Sequence, residues 1–186
     1  MIEREDPVAR LLGRIARGER AALERLYRDH HGRIHAFILQ RIPDPLEAVE
    51  ILNDVMLTLW QQAHRFAGRS RGMTWILGIA HHKCLDARRR HARGPQQTPL
   101  EESESPLPED EADACQALAA LDDAALLRYC LERLSEAHRM VIHLAFYQDL
   151  GYADIAAIEG CPEGTVKSRM LYAKRALKRC LQNLGD

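Results

Sequence analysis

Apolar residues recur at the three- and four-residue spacing of amphipathic helices through the N-terminal half of the chain. The positions that predict the first two helices are Val8, Leu11, Leu12 and Ile15, followed by Leu23, Leu26, Tyr27, Ile34, Phe37 and Ile38. Pro43 and Pro45 end this run, because proline cannot continue a helix. Asp44 lies between them and can cap a third helix, with Glu47 as its capping-box partner.

A third and a fourth helix follow. The apolar face of the third is formed by Val49, Leu52, Val55, Met56, Leu59 and Trp60. A basic loop bounded by Gly68 and Gly72 precedes the fourth helix, which is predicted over about residues 74–90. Its inward positions are Trp75, Ile76, Ile79 and Leu85. Because no alternating run long enough for a strand occurs, the sequence predicts an all-α fold.

The character of the chain changes at residue 94. Residues 94–113 hold four of the eight prolines and a run of acidic side chains, so neither a helix nor a strand can propagate there. Helical periodicity resumes near Ala117, and Ser135 is a candidate N-cap. The helix after it is expected to bury Val141, Ile142, Ala145 and Phe146. We therefore expect two small helical domains, residues 1–93 and 125–186, joined by a flexible acidic linker over residues 94–124.

The net charge of −1 conceals an uneven distribution. Residues 1–95 carry 17 basic against 11 acidic side chains, and residues 96–126 carry nine acidic and no basic ones. Residues 127–186 carry nine basic against seven acidic side chains. Two basic blocks that flank an acidic one suggest contact with a polyanion at both ends of the chain.

The N-terminus predicts neither export nor insertion into a membrane. No basic start followed by an apolar segment is present, and the apolar runs are far too short to span a bilayer. The five cysteines are odd in number, widely spaced and without a C-x-x-C pair. Reduced thiols in a cytoplasm are therefore expected rather than a disulfide framework.

Residues 151–169 carry the strongest local signal, that of a helix-turn-helix. Two closely crossing helices need a small residue in the first, here Ala156, and a residue tolerant of positive φ in the turn, here Gly160. Val166 supplies the aliphatic plug of the second helix, and Pro162 with Glu163 suits its first turn. The apolar positions of this second helix are Val166, Met170, Ala173, Leu177 and Leu181. This pattern predicts a DNA-binding unit; the alternative is a helical hairpin with an ordinary solvated basic face.

The whole chain resembles a bacterial group IV, extracytoplasmic-function RNA polymerase sigma factor. Residues 134–141 are similar to the opening of the family's −35-reading domain, and residues 162–169 match its most recognisable string. Residues 50–60 resemble the segment that binds the polymerase clamp, and residues 74–90 resemble the −10 region. The resemblance implies two helical domains, called sigma-2 and sigma-4, and a promoter-specificity subunit without an active site or a cofactor of its own.

Family membership implies three sets of contact residues. Core polymerase would be bound by Glu50, Asn53, Asp54, Leu57 and Trp60. The −10 element would be contacted by Trp75, His81, His82, Lys83, Arg88, Arg89 and Arg90. The −35 element would be contacted by Thr165, Lys167, Ser168, Arg169, Tyr172, Lys174 and Arg175. The implied partners are core RNA polymerase, promoter DNA and an anti-sigma protein that wedges between the domains.

Other interpretations of these residues remain open. Trp75 lies on an apolar stripe, where a tryptophan is more often part of the core than a wedge in DNA. His81, His82 and Cys84 invite a zinc site, but neighbouring histidines point about 100° apart on a helix and no second cluster completes the ligands. No metal is therefore predicted. The alternative function is a free-standing helix-turn-helix regulator, which would bind palindromic duplex DNA as a dimer.

Overall fold

A computed structural model of the protein describes residues 6–92 and 123–185. The described residues form eight α-helices and no strand, so the predicted all-α fold is confirmed. The helices are α1 (Pro7–Ile15), α2 (Arg20–Leu39), α3 (Pro45–Gln62), α4 (Gly72–Ala92), α5 (Asp123–Glu132), α6 (Glu136–Ile142), α7 (Tyr152–Glu159) and α8 (Glu163–Gly185). A short 3₁₀ turn, Ala63–Arg65, follows α3, and a π-helical segment, His143–Tyr147, follows α6.

The chain divides into two compact units. The first comprises residues 1–99 together with residues 153–160, and the second comprises residues 100–152 and 161–186. Nearly all of the predicted linker, residues 94–124, lies outside the described residues. No helix in the described ranges is long and apolar enough to cross a membrane.

Helices α1 to α4 pack around one apolar core in the first unit. The fully buried side chains at its centre are Leu12, Ile15, Leu26, Ile34, Phe37, Ile38, Val55, Leu59, Ile76 and Leu77. Asp44 caps α3 as expected, since its carboxylate accepts from the backbone N–H of Leu46 at 2.9 Å. The capping-box role of Glu47 is not formed: its side chain instead contacts Nε2 of His91 at 2.8 Å and so joins α3 to the end of α4.

A close approach between α1 and α4 orders the start of the fourth helix. The Asp6 carboxylate caps α1 by accepting from the N–H of Val8 at 2.9 Å. Its second oxygen accepts from the N–H of Gly72, the first residue of α4, at 2.6 Å. A Cβ atom on Gly72 would lie 2.8 Å from the backbone nitrogen of Ala9, so only glycine fits between the two helices here.

The core of the second unit lies between α5, α6 and α8. Its buried side chains are Cys130, Leu134, Met140, Val141, Ile142, Leu144, Val166, Met170 and Ala173. Ser135 caps α6 as predicted, because its hydroxyl accepts from the backbone N–H of His138 at 3.4 Å. The expectation that Phe146 is buried is wrong, since its side chain is 64% exposed. The π-helical segment widens the turn after α6, which brings Leu144 inward and turns Phe146 and Tyr147 outward.

Two of the five cysteines form a disulfide, so the expectation of reduced thiols throughout is wrong for this pair. Cys130 on α5 is bonded to Cys180 on α8, and their Cα atoms are 5.8 Å apart. Among the other described cysteines, Cys84 and Cys161 are free thiols. Burial raises the pKa of the Cys84 thiol to about 11, so this side chain behaves as a small apolar residue of the core.

Candidate polymerase and nucleic-acid interfaces

The outer face of α3 mixes apolar and polar side chains in solvent. Glu50, Asn53 and Asp54 are exposed, and Leu57 and Trp60 continue the same face at 54% and 40% exposure. Leu46 and Val49 are also exposed and extend the face towards the start of the helix. Val49 and Trp60 belong to the apolar face read from the sequence but lie in solvent, because Ile51, Leu52, Val55 and Leu59 fill the side of α3 that packs on the core. A row of exposed leucine and tryptophan side chains on one helix is a feature typical of protein–protein contact surfaces.

Basic side chains of α4 lie against this acidic part of α3. The Nζ atom of Lys83 is 3.7 Å from the Asp54 carboxylate. Arg90 lines an open depression together with Glu47, Glu50, Asn53 and Asp54. Of the residues that the resemblance places at the −10 DNA, Lys83 therefore faces a carboxylate of α3, and Arg90 lies beside the same face.

The other predicted −10 residues fall into exposed and buried groups. His82, Arg88, Arg89 and Arg90 are exposed. Trp75 is half-buried and packs against Phe66, with 5.5 Å between the ring centroids, so it is in part a core residue. Since seven residues make nearly two helical turns, Trp75, His82 and Arg89 lie along one side of α4. This side joins an aromatic ring, an imidazole and a guanidinium group, which are suited to stacking on unpaired bases and to pairing with phosphates.

His81 is buried in this conformation, which disfavours its predicted contact with bases. Its side chain is 11% exposed. The Nε atom of Arg41 donates to its Nδ1 at 3.3 Å, and Arg41 itself is buried with its guanidinium 3.9 Å from the ring centroid of Phe37. Burial first, then the positive charge of Arg41, lowers the pKa of His81 to about 4. A pKa of about 4 leaves the His81 ring neutral at physiological pH.

The elements of the predicted helix-turn-helix form where the sequence places them. Helix α7 ends at Glu159, and Gly160 adopts φ +64°, the left-handed conformation that the turn requires. The carbonyl of Pro162 accepts from the N–H of Thr165 at 2.9 Å in the first turn of α8. Val166 is fully buried. The apolar stripe of α8 ends earlier than expected, because Leu177 is half-buried and Leu181 is 38% exposed.

The predicted −35 residues lie on the first half of α8, away from its apolar stripe. Ser168, Tyr172 and Arg175 are exposed, whereas Thr165 and Arg169 are half-buried. Their spacing of three or four residues places them on one side of the helix. Lys167 and Lys174 are exposed beside this side. Helical geometry thus brings a hydroxyl, a guanidinium and a phenol together with two flanking ammonium groups.

Several of these side chains are held by contacts that the sequence analysis did not foresee. The Lys167 ammonium pairs with the Glu163 carboxylate at 2.8 Å, and this hydrogen bond raises the pKa of Lys167. Lys174 lies over the ring of Phe146, 5.7 Å from its centroid, and the ring of Tyr172 lies 6.2 Å from that of His138. The signal that could have identified Glu163 is its four-residue spacing from Lys167, whereas the two ring contacts need the fold.

Metal binding finds no support among residues 6–92 and 123–185. Within these ranges, no three histidine, cysteine, aspartate or glutamate side chains are grouped closely enough to hold an ion. The rings of His81 and His82 are 5.7 Å apart at their centroids, and they meet edge to face.

Two family matches and several relatives cover these surfaces. Residues 26–94 match Sigma-70 region 2, and residues 124–180 match Sigma-70 region 4. The ECF RNA polymerase sigma factor RpoE of Cereibacter sphaeroides is 32% identical over 168 residues, which cover 90% of this chain and 88% of that protein. The ECF RNA polymerase sigma factor SigL of Mycobacterium tuberculosis is 31% identical over 179 residues, covering 96% of this chain and 98% of the relative.

Solved structures of similar fold agree with the helical architecture. The sigma factor RpoE of Bartonella quintana, crystallised with the anti-sigma factor NepR, gives a TM-score of 0.63 at 21% identity over 86% of this chain and 96% of that one. The structure of CnrH in complex with the cytosolic domain of CnrY gives a TM-score of 0.64 at 18% identity, over 94% of this chain and 97% of that one. These two likenesses concern the fold. The family resemblance seen in the sequence is confirmed by the curated relatives, and the chain belongs to the ECF RNA polymerase sigma factors, the proteins that give RNA polymerase its promoter specificity.

Proposed function

We propose that this sigma factor uses three separate surfaces, one for core RNA polymerase and two for promoter DNA. The observation that carries the proposal is the outer face of α3, where Leu57 and Trp60 remain in solvent beside Asn53 and Asp54. Exposure of these two apolar side chains contributes nothing to the stability of the first unit itself. We assign this face to core RNA polymerase.

Apolar and charged groups would contribute differently to that contact. Burial of Leu57 and Trp60 against the polymerase supplies affinity, since aromatic and aliphatic anchors dominate protein interfaces. The Asp54 carboxylate is 60% exposed although Lys83 lies 3.7 Å away, so it is accessible to a basic partner. Reversing this charge would place two like charges against each other, which strongly disfavours the complex.

The −10 element would be contacted by the exposed side of α4. His82 and Trp75 offer flat rings on which unpaired bases can stack, and Arg88 and Arg89 offer charge to the backbone. Lys83 and Arg90 have a smaller role in this proposal than the family resemblance implies, because Lys83 faces a carboxylate of α3 and Arg90 lies beside the same face. His81 has none, because it is buried beside Arg41.

The −35 element would be contacted by α8. Ser168, Arg169 and Tyr172 are placed to reach base edges in a major groove, and Lys167, Lys174 and Arg175 to reach phosphates. Ser168 donates its hydroxyl to the carbonyl of Thr165 at 2.9 Å, which leaves its lone pairs as acceptors for a base amino group.

The remaining parts of the proposal concern location and control. The protein would act in the cytoplasm, where polymerase and promoter DNA are, and would catalyse no reaction of its own. A separate anti-sigma protein would hold it inactive; the similar sigma factor RpoE forms a complex with the anti-sigma factor NepR. Simultaneous contact with two domains of one chain would give tight binding from two modest surfaces.

Charge reversal at Asp54 tests the assignment of the α3 face. The full chain carrying Asp54→Lys is compared with wild type for binding to purified core polymerase, using fluorescence polarisation of a labelled chain. Glu24→Lys is the matched control, since Glu24 has a similar exposure of 63% on α2 and undergoes the same change of charge. We expect Asp54→Lys to weaken binding at least tenfold and Glu24→Lys to leave it unchanged. Equal affinity of all three chains would refute the assignment.

A further inference from the structure

The disulfide of the second unit joins two helices, α5 and α8, that are distant in the sequence. Cys130 and Cys180 are separated by 50 residues, and the loop they close contains α6, α7 and every residue proposed for the −35 element. Cytoplasmic disulfides, when present, are usually transient and catalytic or redox-sensing rather than permanent. A disulfide at this place in a sigma factor therefore calls for a role that depends on its reversibility.

The surroundings of the two sulfur atoms differ in a way that suits reversible chemistry. Cys130 is 1% exposed, whereas Cys180 is half-buried. A small cavity beside the bridge is lined by both cysteines and by Arg133 and Arg179. Guanidinium groups near a cysteine favour the thiolate, which is the reactive form.

We propose that Cys130 and Cys180 are a reversible thiol–disulfide switch that sets how firmly α5 is held against α8, the helix assigned to the −35 element. The oxidant is a peroxide, and the reductant is a dithiol of the thioredoxin type. The effect on transcription rests on the proposed function of α8, whereas the thiol chemistry does not depend on it.

Oxidation proceeds in two balanced steps. The Cys180 thiolate attacks an oxygen of hydrogen peroxide, the O–O bond breaks, and a sulfenic acid forms on Cys180 while hydroxide takes up a proton to leave as water. The Cys130 thiol then attacks that sulfur, the S–O bond breaks, and a second water leaves with the proton of Cys130. The two thiols lose two electrons in total, and the peroxide gains them. Reduction begins when the dithiol attacks the more accessible sulfur, that of Cys180.

The switch acts through the stability of the second unit rather than through contact with DNA. Cys180 lies eight residues beyond Tyr172, about 12 Å along the helix at 1.5 Å per residue. Closing a long loop reduces the conformational freedom of the unfolded chain, which stabilises the folded second unit relative to it. The packing of α5 against α8 is therefore lost less often. The oxidised protein is therefore expected to open less often around α8, and the −35 surface to be better ordered.

The first experiment counts thiols and measures hydrogen exchange on the full chain. Wild type, Cys180→Ser and, as matched control, Cys161→Ser are treated with hydrogen peroxide or dithiothreitol, then alkylated and analysed by mass spectrometry. Wild type and Cys161→Ser should each lose two alkylated cysteines on oxidation and regain them on reduction, with a cross-linked peptide that joins Cys130 to Cys180. Amide exchange in α8 should slow about tenfold or more in the oxidised forms of these two chains, and Cys180→Ser should show neither change. Equal thiol counts under both treatments, or the same slowing in Cys180→Ser, would overturn the switch.

The second experiment separates the switch from the function on which it rests. Oxidised and reduced wild type are assayed with core polymerase on a promoter that requires its −35 element. We expect the oxidised form to give several-fold more transcript, and no such difference for Cys180→Ser. Equal transcription from the two forms of wild type would overturn the regulatory role. No transcription from either form, with the exchange difference intact, would reject the proposed function and leave the thiol chemistry standing.

Discussion

Replacing Gly72 by alanine should destabilise the first unit, although alanine is the better helix former. An added Cβ would lie 2.8 Å from the backbone nitrogen of Ala9 and 2.9 Å from Cγ1 of Val8. Backbone atoms cannot rotate away from such a contact as a flexible side chain can, so α1 must move outward. That movement lengthens the 2.6 Å hydrogen bond from the N–H of Gly72 to Asp6.

The net cost follows from opposing contributions. Forcing extra volume into a packed contact costs about 1–3 kcal/mol, and a weakened hydrogen bond to a carboxylate adds to this. Alanine gains at most about 1 kcal/mol over glycine inside a helix, and less in the first turn. We therefore expect a loss of about 1–3 kcal/mol in the free energy of unfolding of the first unit.

Urea unfolding followed by tryptophan fluorescence measures this loss without interference from the second unit, because both tryptophans, Trp60 and Trp75, lie in the first. Gly78→Ala in the same helix is the control, since apart from the neighbouring backbone of its own helix no atom lies within 4 Å of the Cβ position there. It should raise the unfolding free energy by up to about 1 kcal/mol. Two substitutions of the same kind should thus change stability in opposite directions. If Gly72→Ala stabilised the unit as Gly78→Ala does, the close contact of α1 with α4 would be refuted.

The other predictions concern pH and DNA readout. The pKa of His81 is about 4 in the folded chain against 6.5 for an ordinary histidine, so protonation favours the unfolded chain. Between about pH 7 and about pH 5, the free energy of unfolding of the first unit should fall by about 2 kcal/mol more in wild type than in a His81→Gln variant. Equal decreases in the two chains, measured by urea unfolding at each pH, would contradict this. In binding to −35 duplexes with core present, Arg169→Ala should cost about 1–3 kcal/mol at one base position. Lys174→Ala should weaken binding to all −35 sequences alike and reduce by about one the slope of log affinity against log salt concentration. If Arg169→Ala also weakened binding to all sequences alike, Arg169 would be a phosphate contact instead.

Local patterns predict those parts of this protein that depend on near neighbours in the sequence. The spacing of Leu11, Leu12 and Ile15 is enough to place a helix and its buried side, and all three are buried. Asp44 and Ser135 cap their helices because capping needs only the next few backbone N–H groups. Gly160 adopts positive φ in the turn for the same local reason.

Features that depend on distant residues were not predictable in this way. His81 is buried beside Arg41, which lies 40 residues away in the sequence, so its position in a basic stretch does not predict its burial. The disulfide joins cysteines 50 residues apart and needs α5 and α8 to be packed together first. Periodicity also predicts the direction of an apolar stripe better than its width, which is why Trp60 lies on the apolar face read from the sequence and yet is 40% exposed.

Run-off transcription with purified core RNA polymerase tests the central claim most directly. Genomic fragments from the source organism serve as templates, and the chain and the core are each also tested alone. The account predicts discrete transcripts when both are present, none from either alone, and their loss with Asp54→Lys but not with Glu24→Lys. Tight, palindrome-specific binding of duplex DNA by the chain alone, with no transcript on addition of core, would contradict it.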